Sequence, residues 1–447
     1  MKERYDVVIV GAGPAGLLAA KALAENGFDV AVLERKKNLS EIVRACGQSL
    51  LPPNEYFFGD IFHYNEKDKR FCFPLSGLSF PYAGHVKKLS TWHMFSPGMK
   101  KMQFGYTPPQ GAPIALSYDK ETMLRCLIED LPRDRVEFFP ETEFTDMQLG
   151  PGMILVQAGS RQFVSTCLIA ADGANSRVVH QLGYNNNRRH IATLHVRSFF
   201  LKGFHAPYPD SIITAVAFIE EKPVYLFLLP RPDGDEWNFI LLTLEPSVDL
   251  GHAYQIITRD ERYAAWFRGA EQTRQFAAVE YIYSPVQRPF RNNVLIVGDA
   301  GACQELECLG AMITGWKGGL ALAAALKEQH LGILPRAIAQ YEDWWLNTYI
   351  KQYNYQDYLS IFGLAYMFAR PDIIDYLFDV MGTEPFPPTF NPYTAVGLLG
   401  NRLQGLLSQI MQSRPDIAQQ LAATMTQFPS DVIAAAIKPR EGSKKTF

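Results

Sequence analysis

The chain has 447 residues, which is enough for about three domain-sized units with a sizeable buried core. Apolar residues make up 47% and charged residues 20%, and the mean hydropathy of −0.08 argues against both an integral membrane protein and a disordered chain. The formal net charge of −3 lacks the basic surplus of a nucleic-acid-binding protein. Aromatic residues are in excess at 13%, and they predict either a well-packed sheet or a large apolar pocket.

The cysteines argue against a metal site, because none of them form a Cys-x-x-Cys pair. No stretch approaches 18 consecutive apolar residues. We therefore expect a cytoplasmic, reduced protein with no metal, no signal peptide and no spanning helix, while peripheral contact with a membrane stays open. The sequence does not decide the oligomeric state. The six cysteines are Cys46, Cys72, Cys126, Cys167, Cys303 and Cys308.

The first 35 residues predict one βαβ unit. Residues 5–10 are a short β-branched run, residues 17–26 are rich in Ala and Leu, and residues 29–33 form a second apolar run. Between the first two lies the sequence Gly-Ala-Gly-Pro-Ala-Gly at 11–16, a G-x-G-x-x-G pattern that follows a strand and opens a helix. This context predicts a dinucleotide site.

Each glycine of this pattern has a separate physical purpose. Gly11 permits the tight turn, Gly13 lets a pyrophosphate approach the backbone, and Gly16 lets the helix pack closely on the strand. The helix N-terminus then presents unpaired N–H groups to the pyrophosphate, and Glu34, about twenty residues further on, accepts from a ribose hydroxyl. The cofactor-binding residues predicted in this unit are Gly11, Gly13, Pro14, Ala15, Gly16, Glu34 and Arg35.

Regular elements continue through the rest of the chain. They are a helix over 120–131, strands over 135–139, 153–158 and 163–171, β-rich stretches over 191–201, 212–219, 224–229 and 237–244, a strand over 293–297 and a helix over 310–329. The four β-rich stretches are separated by turn residues without a helical period, so they predict an inserted antiparallel sheet. The Pro- and Gly-rich segment 71–113 is too long for a simple connection, and it is predicted to cover a ligand or to join a second domain.

Two later motifs distinguish FAD from NAD. Residues 171–177 read Ala-Asp-Gly-Ala-Asn-Ser-Arg and residues 297–300 read Val-Gly-Asp-Ala, each after a predicted strand. With the N-terminal unit, they resemble the FAD enzymes that include aromatic hydroxylases, squalene epoxidases and prenyl reductases. The resemblance implies that Asp299 accepts from the ribityl chain and that Asp172 and Gly173 lie close to the pyrophosphate. It also implies that the helix starting near Gly310 directs its N-terminus at the flavin pyrimidine edge.

The resemblance implies an α/β (α+β) fold, with a Rossmann-like FAD-binding domain, an inserted antiparallel sheet that forms the substrate domain and a helical C-terminal region. In related enzymes such a sheet covers the flavin and lines the substrate pocket, with alternate residues such as His195, Arg197 and Phe199, or Tyr225 and Phe227, on one face. The predicted domains are 1–70, 114–185 and 285–335 for FAD, 71–113 and 186–284 for the sheet, and 336–447 for the helices.

Arg44 and Lys120 fit the same group of enzymes, in which Lys120 stands where relatives usually carry an Arg or Gln that touches the flavin chain. Either residue is equally well explained as a solvated surface charge. The stretch Arg-Ala-Cys-Gly at 44–47 is more specific, since it resembles the cysteine-glycine element of the geranylgeranyl reductase family. That resemblance implies that Cys46 lies beside the substrate face of the flavin, whereas an inert buried cysteine is the structural alternative.

The chain departs from this family between residues 304 and 312. Relatives typically carry Pro-x-x-Gly-x-Gly there, but this chain has Glu307 in the proline position and Met312 in the second glycine position. Glu307 is interpreted either as a catalytic group that tunes the flavin potential or relays a proton, or as a cap of the following helix. The cofactor-binding residues implied by the resemblance are Arg44, Cys46, Gly47, Lys120, Asp172, Gly173, Gly298, Asp299, Gly310, Ala311 and Met312.

The predicted function is FAD-dependent reduction of carbon–carbon double bonds in a bulky apolar, prenyl-like substrate by hydride transfer from reduced flavin. Cys46, or a water that it orders, protonates the other alkene carbon. No second G-x-G-x-x-G is present, so NAD(P)H binding transiently or a small electron-transfer protein is the expected reductant. The alternatives are a flavin monooxygenase acting on an apolar substrate and a flavin protein that reduces a quinone or a protein partner.

Overall fold

The computed structural model describes residues 4–50, 53–107, 111–304, 307–368 and 370–437. Its strands are β1 (Tyr5–Val10), β2 (Val30–Leu33), β3 (Ser49–Leu50), β4 (Tyr56–Phe57), β5 (Asp60–Ile61), β6 (His63–Asn65), β7 (Arg70–Phe73), β8 (Leu78–Pro81), β9 (Val86–Leu89), β10 (Thr91–Phe95), β11 (Lys101–Phe104), β12 (Ala115–Tyr118), β13 (Val136–Phe139), β14 (Phe144–Gly150), β15 (Met153–Ala158), β16 (Arg161–Ala170), β17 (His190–Lys202), β18 (Ser211–Ile219), β19 (Lys222–Pro230), β20 (Trp237–Thr243), β21 (Glu271–Tyr283), β22 (Phe290–Arg291) and β23 (Val294–Ile296).

The helices are α1 (Pro14–Glu25), α2 (Lys120–Glu129), α3 (Arg177–Gln181), α4 (Leu250–Arg259), α5 (Ala264–Phe267), α6 (Leu309–His330), α7 (Ala337–Trp344), α8 (Tyr355–Phe368), α9 (Pro371–Met381), α10 (Pro392–Ser413), α11 (Pro415–Met425) and α12 (Pro429–Ile437). Short 3₁₀ turns cover Tyr184–Asn187 and Gly298–Ala300, and a π-helical turn covers Trp345–Ile350. The elements predicted from the sequence are confirmed, with ends that differ by at most a few residues.

The main sheet has eight strands and is parallel at its centre. Strands β13, β2, β1, β16 and β23 lie side by side in parallel, while β15, β14 and β22 add antiparallel pairs at the edges. The central strand β1 is buried on both faces, as its unbroken apolar run requires. Because the strands come from three separate stretches of chain, the Rossmann-like unit is discontinuous in sequence.

The second sheet has seven strands in the order β11-β10-β18-β19-β20-β17-β21. Neighbouring strands of this sheet are antiparallel except for β10 and β18, which are parallel. Strand β10 comes from the Pro- and Gly-rich segment that precedes the inserted region. The segment 71–113 therefore supplies two strands to this sheet. It also supplies strands to the small sheets β6-β7-β8 and β3-β12-β9.

Helix α6 is central to the core and packs against α1. A Cβ at Gly315 would overlap the backbone of Ala15, so only glycine permits this close approach of the two helices. In the part of the chain that the structure describes, α6 is the one helix long and apolar enough to cross a membrane, and 78% of its most apolar window is buried inside the molecule. The burial against α1 accounts for its apolar composition.

The C-terminal helices pack against the seven-stranded sheet. The hydroxyl of Tyr225 on β19 donates to the carbonyl of Phe362 on α8, and the amide of Leu244 donates to the hydroxyl of Tyr366 at 3.0 Å. Helix α12 is joined to α8 through Gln356, whose side-chain amide donates to Ser430 at 2.8 Å. These contacts place the aromatic C-terminal region beside the seven-stranded sheet.

Candidate functional site

The first part of the site is the turn between β1 and α1. Gly11 has a φ of +105°, and a Cβ there would also overlap the carbonyl oxygen of Ala171. Gly13 precedes α1 with nothing within 4 Å of its hypothetical Cβ, so its backbone faces open space. Pro14 occupies the first turn of α1. The turn therefore leaves the helix N-terminus accessible, as a bound pyrophosphate requires.

Glu34 directly follows β2 and is almost completely buried at the same edge of the sheet. Its carboxylate accepts from the backbone amide of Ala12 at 2.9 Å and from that of Lys36 at 3.0 Å. These bonds hold the carboxylate beside the glycine turn, where its remaining lone pairs are available to a ribose hydroxyl. Arg35 follows it on the rim of the same cleft.

The Asp172 motif is held by its own hydrogen bonds. The Asp172 carboxylate accepts from the Ser176 hydroxyl at 2.5 Å and from the amide of Arg177 at 2.8 Å, which caps α3. Burial raises the pKa of Asp172, although these hydrogen bonds oppose the shift. The Asn175 amide donates to the carbonyl of Val279 at 2.8 Å and accepts from the amide of Tyr281 at 2.9 Å. The motif thus attaches β21 to the Rossmann-like unit.

Arg44 lies between two carboxylates from distant parts of the chain. Its guanidinium is 3.3 Å from Glu280 and 3.6 Å from Asp299. Burial lowers the pKa of Arg44, but the two carboxylates outweigh burial and raise it overall. Burial raises the pKa of Glu280, and Arg44 opposes that shift. Arg44 is therefore an ion-pair residue on the cleft wall with a side chain that is 42% exposed, and its contact with the cofactor stays a prediction.

Lys120 is buried and contacts the predicted catalytic cysteine. Its Nζ lies 3.3 Å from Cys46 Sγ, while its backbone amide donates to Gln48 Oε1 at 3.1 Å. Burial lowers the pKa of Lys120, but the sulfurs of Cys46 and Cys308 raise it, and the net direction is upward. The surface-charge interpretation is therefore wrong for Lys120, which is 8% exposed. The lysine places a cation against the Cys46 sulfur.

These residues surround an open cleft of about 1550 Å³, a volume that includes solvent-facing space. The cleft runs from the glycine turn past Glu34 and the Asp172 motif to Cys46, and β21 forms its opposite wall. The predicted site residues that line it are Gly11, Gly13, Pro14, Glu34, Arg35, Arg44, Cys46, Lys120, Asp172 and Gly173.

A second cavity, of about 810 Å³ including open space, begins where the cleft ends. Its walls come from the seven-stranded sheet and from the C-terminal region, and they are almost entirely apolar. The apolar lining residues are Ala45, Trp92, Leu194, Val196, Phe227, Leu229, Ile240, Leu242, Tyr358, Phe390 and Pro392. We call this cavity the apolar pocket.

Cys46 and Glu280 line both the cleft and the apolar pocket. We call the place where the two cavities meet the junction. The loop that carries Cys46 is held there by two hydrogen bonds: the amide of Ala45 donates to the carbonyl of Ala277 on β21 at 3.3 Å, and the Cys46 carbonyl accepts from Asn238 at 2.9 Å. A group bound in the cleft therefore meets a ligand of the apolar pocket at the Cys46 side chain.

The third motif lies deeper than the cleft wall. Gly298 has a φ of +63°, and its amide donates to Thr314 Oγ1 on α6 at 2.9 Å. Gly310, Ala311 and Met312 form the first turn of α6 and are buried, and they line neither cavity. Gly16 and Ala15 are likewise packing residues beneath the turn. Contact between the first turn of α6 and the cofactor stays a prediction.

Glu307 lines the apolar pocket beside Gly47. One carboxylate oxygen accepts from the amide of Ser49 at 3.2 Å, and the other occupies the space where a Cβ on Gly47 would lie. Glu307 precedes Cys308, the N-cap residue of α6, whose own side chain makes no capping hydrogen bond. The catalytic and helix-cap interpretations of Glu307 both stay predictions. Its neighbour Glu305 lies outside the described residues.

The overlap at Gly47 yields a testable coupling. We expect Gly47→Ala to destabilise the protein by about 1–2 kcal/mol, because the new methyl group displaces a carboxylate that is held by Ser49. Most of this loss should disappear when the same substitution is made in a Glu307→Ala background. Urea unfolding of the wild type, both single variants and the double variant measures the coupling energy, and additive effects would show that the two residues act independently.

The cleft fits FAD on the evidence of its own residues. The Gly13 backbone is open, Gly173 has a φ of +83° with only the Arg44 guanidinium, at 3.9 Å, near its hypothetical Cβ, and Glu34 is fixed beside the turn. Among the described residues, no group of three or more His, Cys, Asp or Glu is placed to hold a metal ion.

Comparison with known proteins supports this assignment. Residues 4–50 match the FAD binding domain model. A digeranylgeranylglycerophospholipid reductase of Methanosarcina mazei is 28% identical over 184 residues, 40% of each chain, so this alignment spans about two fifths of the relative. Digeranylgeranylglycerophospholipid reductase 2 of Methanococcoides burtonii is 22% identical over 376 residues, 79% of this chain and 83% of the relative.

The fold is similar to that of a geranylgeranyl bacteriochlorophyll reductase-like protein from Thermoplasma acidophilum, with a TM-score of 0.70, 13% identity and coverage of 94% of this chain and 99% of that one. The chain thus shares the fold of that reductase-like protein, and the match of residues 4–50 places it in the class of FAD-binding proteins. Within that class, the resemblance to the geranylgeranyl reductases that the Cys46-Gly47 element indicated is confirmed.

Glu280, which lines both cavities, is the main residue of the candidate site that sequence reasoning missed. It lies on β21, an edge strand that no motif marked, and it reaches the site only because β21 is attached to the cysteine loop and to Asn175. Asn238 was missed for the same reason, since a single asparagine in an apolar strand carries no local pattern. The signal that could have found Asn238 is an isolated polar residue inside an apolar, buried strand.

Proposed function

We propose that this protein reduces carbon–carbon double bonds of a bulky apolar, prenyl-like substrate, using FAD. The observation that carries the proposal is the meeting of two cavities of different character at one side chain. A polar cleft with a dinucleotide turn and a large apolar pocket share Cys46 and Glu280. The names of the archaeal relatives support the same class of substrate.

The residues that hold the cofactor are those of the cleft. The glycine turn and the α1 N-terminus bind the pyrophosphate, Glu34 binds the ribose, and Arg44 and Lys120 lie toward the flavin end. Bound FAD supplies the electron pair that reduction of an alkene consumes. The apolar walls orient the substrate chain and exclude water from the junction.

Alkene reduction by hydride transfer also needs one proton for the second alkene carbon, and the chain places proton donors at the junction. The Cys46 thiol, or a water that it orders, protonates the alkene carbon that lines the junction. The ammonium group of Lys120, 3.3 Å from the sulfur, then returns the proton to the thiol. Glu280 stands between Arg44 and the apolar pocket, and its raised pKa favours a role in carrying protons from the cleft.

The remaining parts of the proposal concern the partners of the reaction. The reductant is NAD(P)H binding transiently or a small electron-transfer protein.

We place the enzyme in the cytoplasm with peripheral membrane contact, where prenyl lipids are accessible. An exposed apolar loop after α6 supports such contact, with Leu331 72%, Ile333 53% and Leu334 82% exposed.

An anaerobic turnover experiment tests the reaction type. The FAD-loaded protein is reduced chemically without oxygen and mixed with a polyunsaturated prenyl lipid, with the fully saturated lipid as the control. We expect the flavin absorbance to return and the product mass to increase by two hydrogens for each double bond. Reoxidation by quinones alone would support the electron-transfer alternative, and an oxygenated product formed only in air would support the monooxygenase.

A further inference from the structure

The apolar pocket runs across the strands of the seven-stranded sheet. Glu280, at the junction, lies on β21, while Phe227 and Leu229 lie on β19, three strand spacings away. At ~4.8 Å for each spacing, this part of the pocket is about 14 Å long. The next strand that contributes to the lining is β10, two strands beyond β19, and its contribution is Trp92. The pocket therefore has one end at the junction and the other end at Trp92.

Trp92 closes this far end with a packed ring. Its indole N–H donates to Thr214 Oγ1 on β18 at 2.8 Å, so the ring reaches the strand that lies between β10 and β19. It stacks on Phe104 of β11, with 5.0 Å between the ring centroids and 23° between the ring planes. Phe104 stacks in turn on Phe386 at 4.7 Å. All three rings are buried, so the pocket ends against packed aromatic side chains.

Phe390 completes the closed end. It lines the pocket and meets Trp92 edge-on, with the ring centroids 5.1 Å apart. Both of its chain neighbours are fixed, because Thr389 Oγ1 and Asn391 Nδ2 donate to the carboxylate of Glu55 at 3.3 Å and 2.8 Å. The Phe390 ring therefore cannot move aside for a longer ligand without the loss of these contacts.

We propose that Trp92 and Phe390 are specificity-determining residues that limit the length of the prenyl chain accepted by the apolar pocket. The inference rests on the proposed function for the class of ligand, and it adds a length limit to that class. Each prenyl unit adds four chain bonds, about 5 Å at the ~1.2 Å for each bond of an extended chain. A chain that is one unit too long has to displace packed rings, and such overpacking is unfavourable.

Equilibrium binding to the oxidised FAD-loaded protein tests the inference without turnover. Isothermal titration at a fixed detergent concentration compares linear prenyl alcohols of two, three, four, five and six isoprene units. We expect each unit that the pocket holds to tighten binding at least about tenfold, because it buries further apolar surface, and units beyond the limit to give no further gain. Tightening through the whole series, or at no step, would overturn the inference.

Trp92→Leu shows whether this ring sets the limit. Its removal opens space over β18 and β10, which is two strand spacings or about 10 Å. We expect the limit to move to chains that are longer by at least one prenyl unit, with at least about tenfold tighter binding of the first added unit. A limit that stays where it is in the wild type would refute the assignment.

Trp237→Leu is the matched control. Trp237 is 6% exposed, compared with 5% for Trp92, and lies on β20 of the same sheet. It packs against Phe204 in a separate core and does not line the pocket, so its variant should keep the wild-type limit. If Trp92→Leu does not fold, Phe390→Leu removes the second ring of the closed end, and the same shift to longer chains is expected.

The two proposals fail in different ways. A length limit that moves in Trp92→Leu, in a protein that never reduces the bound chains, would contradict the proposed function and support the limit. Reduction of prenyl chains whose affinities show no limit would support the reductase and contradict the role of Trp92 and Phe390. If no prenyl alcohol binds, both proposals fail.

Discussion

Alkene reduction should be lost in Cys46→Ala, while FAD stays bound. The thiol lies at the junction of cleft and pocket, 3.3 Å from the Lys120 ammonium, so its removal deletes the proposed proton donor. Loss of a general acid typically lowers turnover by about 10²–10⁴-fold. We expect an effect of that size in anaerobic single-turnover assays with a prenyl lipid.

The control for this experiment is Cys72→Ala. Both cysteines are free and partly buried, but Cys72 lies on β7, where its sulfur contacts the carbonyl of Arg70 and the hydroxyl of Ser79. We expect Cys72→Ala to retain wild-type turnover. The visible flavin spectrum of Cys46→Ala shows whether FAD is still bound, and normal turnover by a variant with full FAD content would refute the assigned role.

A methyl group at Gly11 should remove FAD binding. Gly11→Ala combines a backbone φ of +105°, which a non-glycine residue rarely adopts, with overlap of the new Cβ and the Ala171 carbonyl oxygen. Because Ala171 leads into the Asp172 motif, relief of this overlap moves two walls of the cleft apart. We expect a loss of about 3 kcal/mol in unfolding free energy and protein purified largely without FAD.

Gly27→Ala is the control that separates the cost of backbone strain from the cost of the contact with Ala171. Gly27 has a φ of +89°, similar to that of Gly11, but nothing lies within 4 Å of its hypothetical Cβ. We expect Gly27→Ala to cost about 1 kcal/mol through backbone strain alone and to keep its FAD. FAD released on denaturation and the urea midpoint measure both quantities, and equal FAD content in the two variants would contradict the contact argument.

The face of the inserted sheet shows where prediction from sequence reached its limit. Alternation along β17 predicted that every second residue faces the pocket, and His195, Arg197 and Phe199 were given as one such face. The structure places Leu194 and Val196, of the opposite parity, in the lining, while Phe199 packs in a separate core with α4 residues. Phe227 does line the pocket, as expected. Where a strand is buried on both faces, alternation does not determine which face meets the ligand.

The FAD unit could be predicted from the sequence because its signals are local. The turn between β1 and α1 needs glycines at fixed spacing, and Glu34 follows one strand later, so all its parts lie within one short stretch of chain. Cys46-Gly47 was predictable in the same way from its resemblance to a family.

Tertiary structure decided what those residues meet. The Arg44–Glu280 pair joins positions 236 residues apart, and Asn238 reaches the Cys46 carbonyl across 192 residues. Such contacts depend on how the inserted sheet docks on the Rossmann-like unit, and no local pattern encodes that docking. The sequence by itself determined the dinucleotide turn and the flavin class. Only the packing of the two sheets created the junction at Cys46, because the junction is formed by residues that are far apart in the sequence.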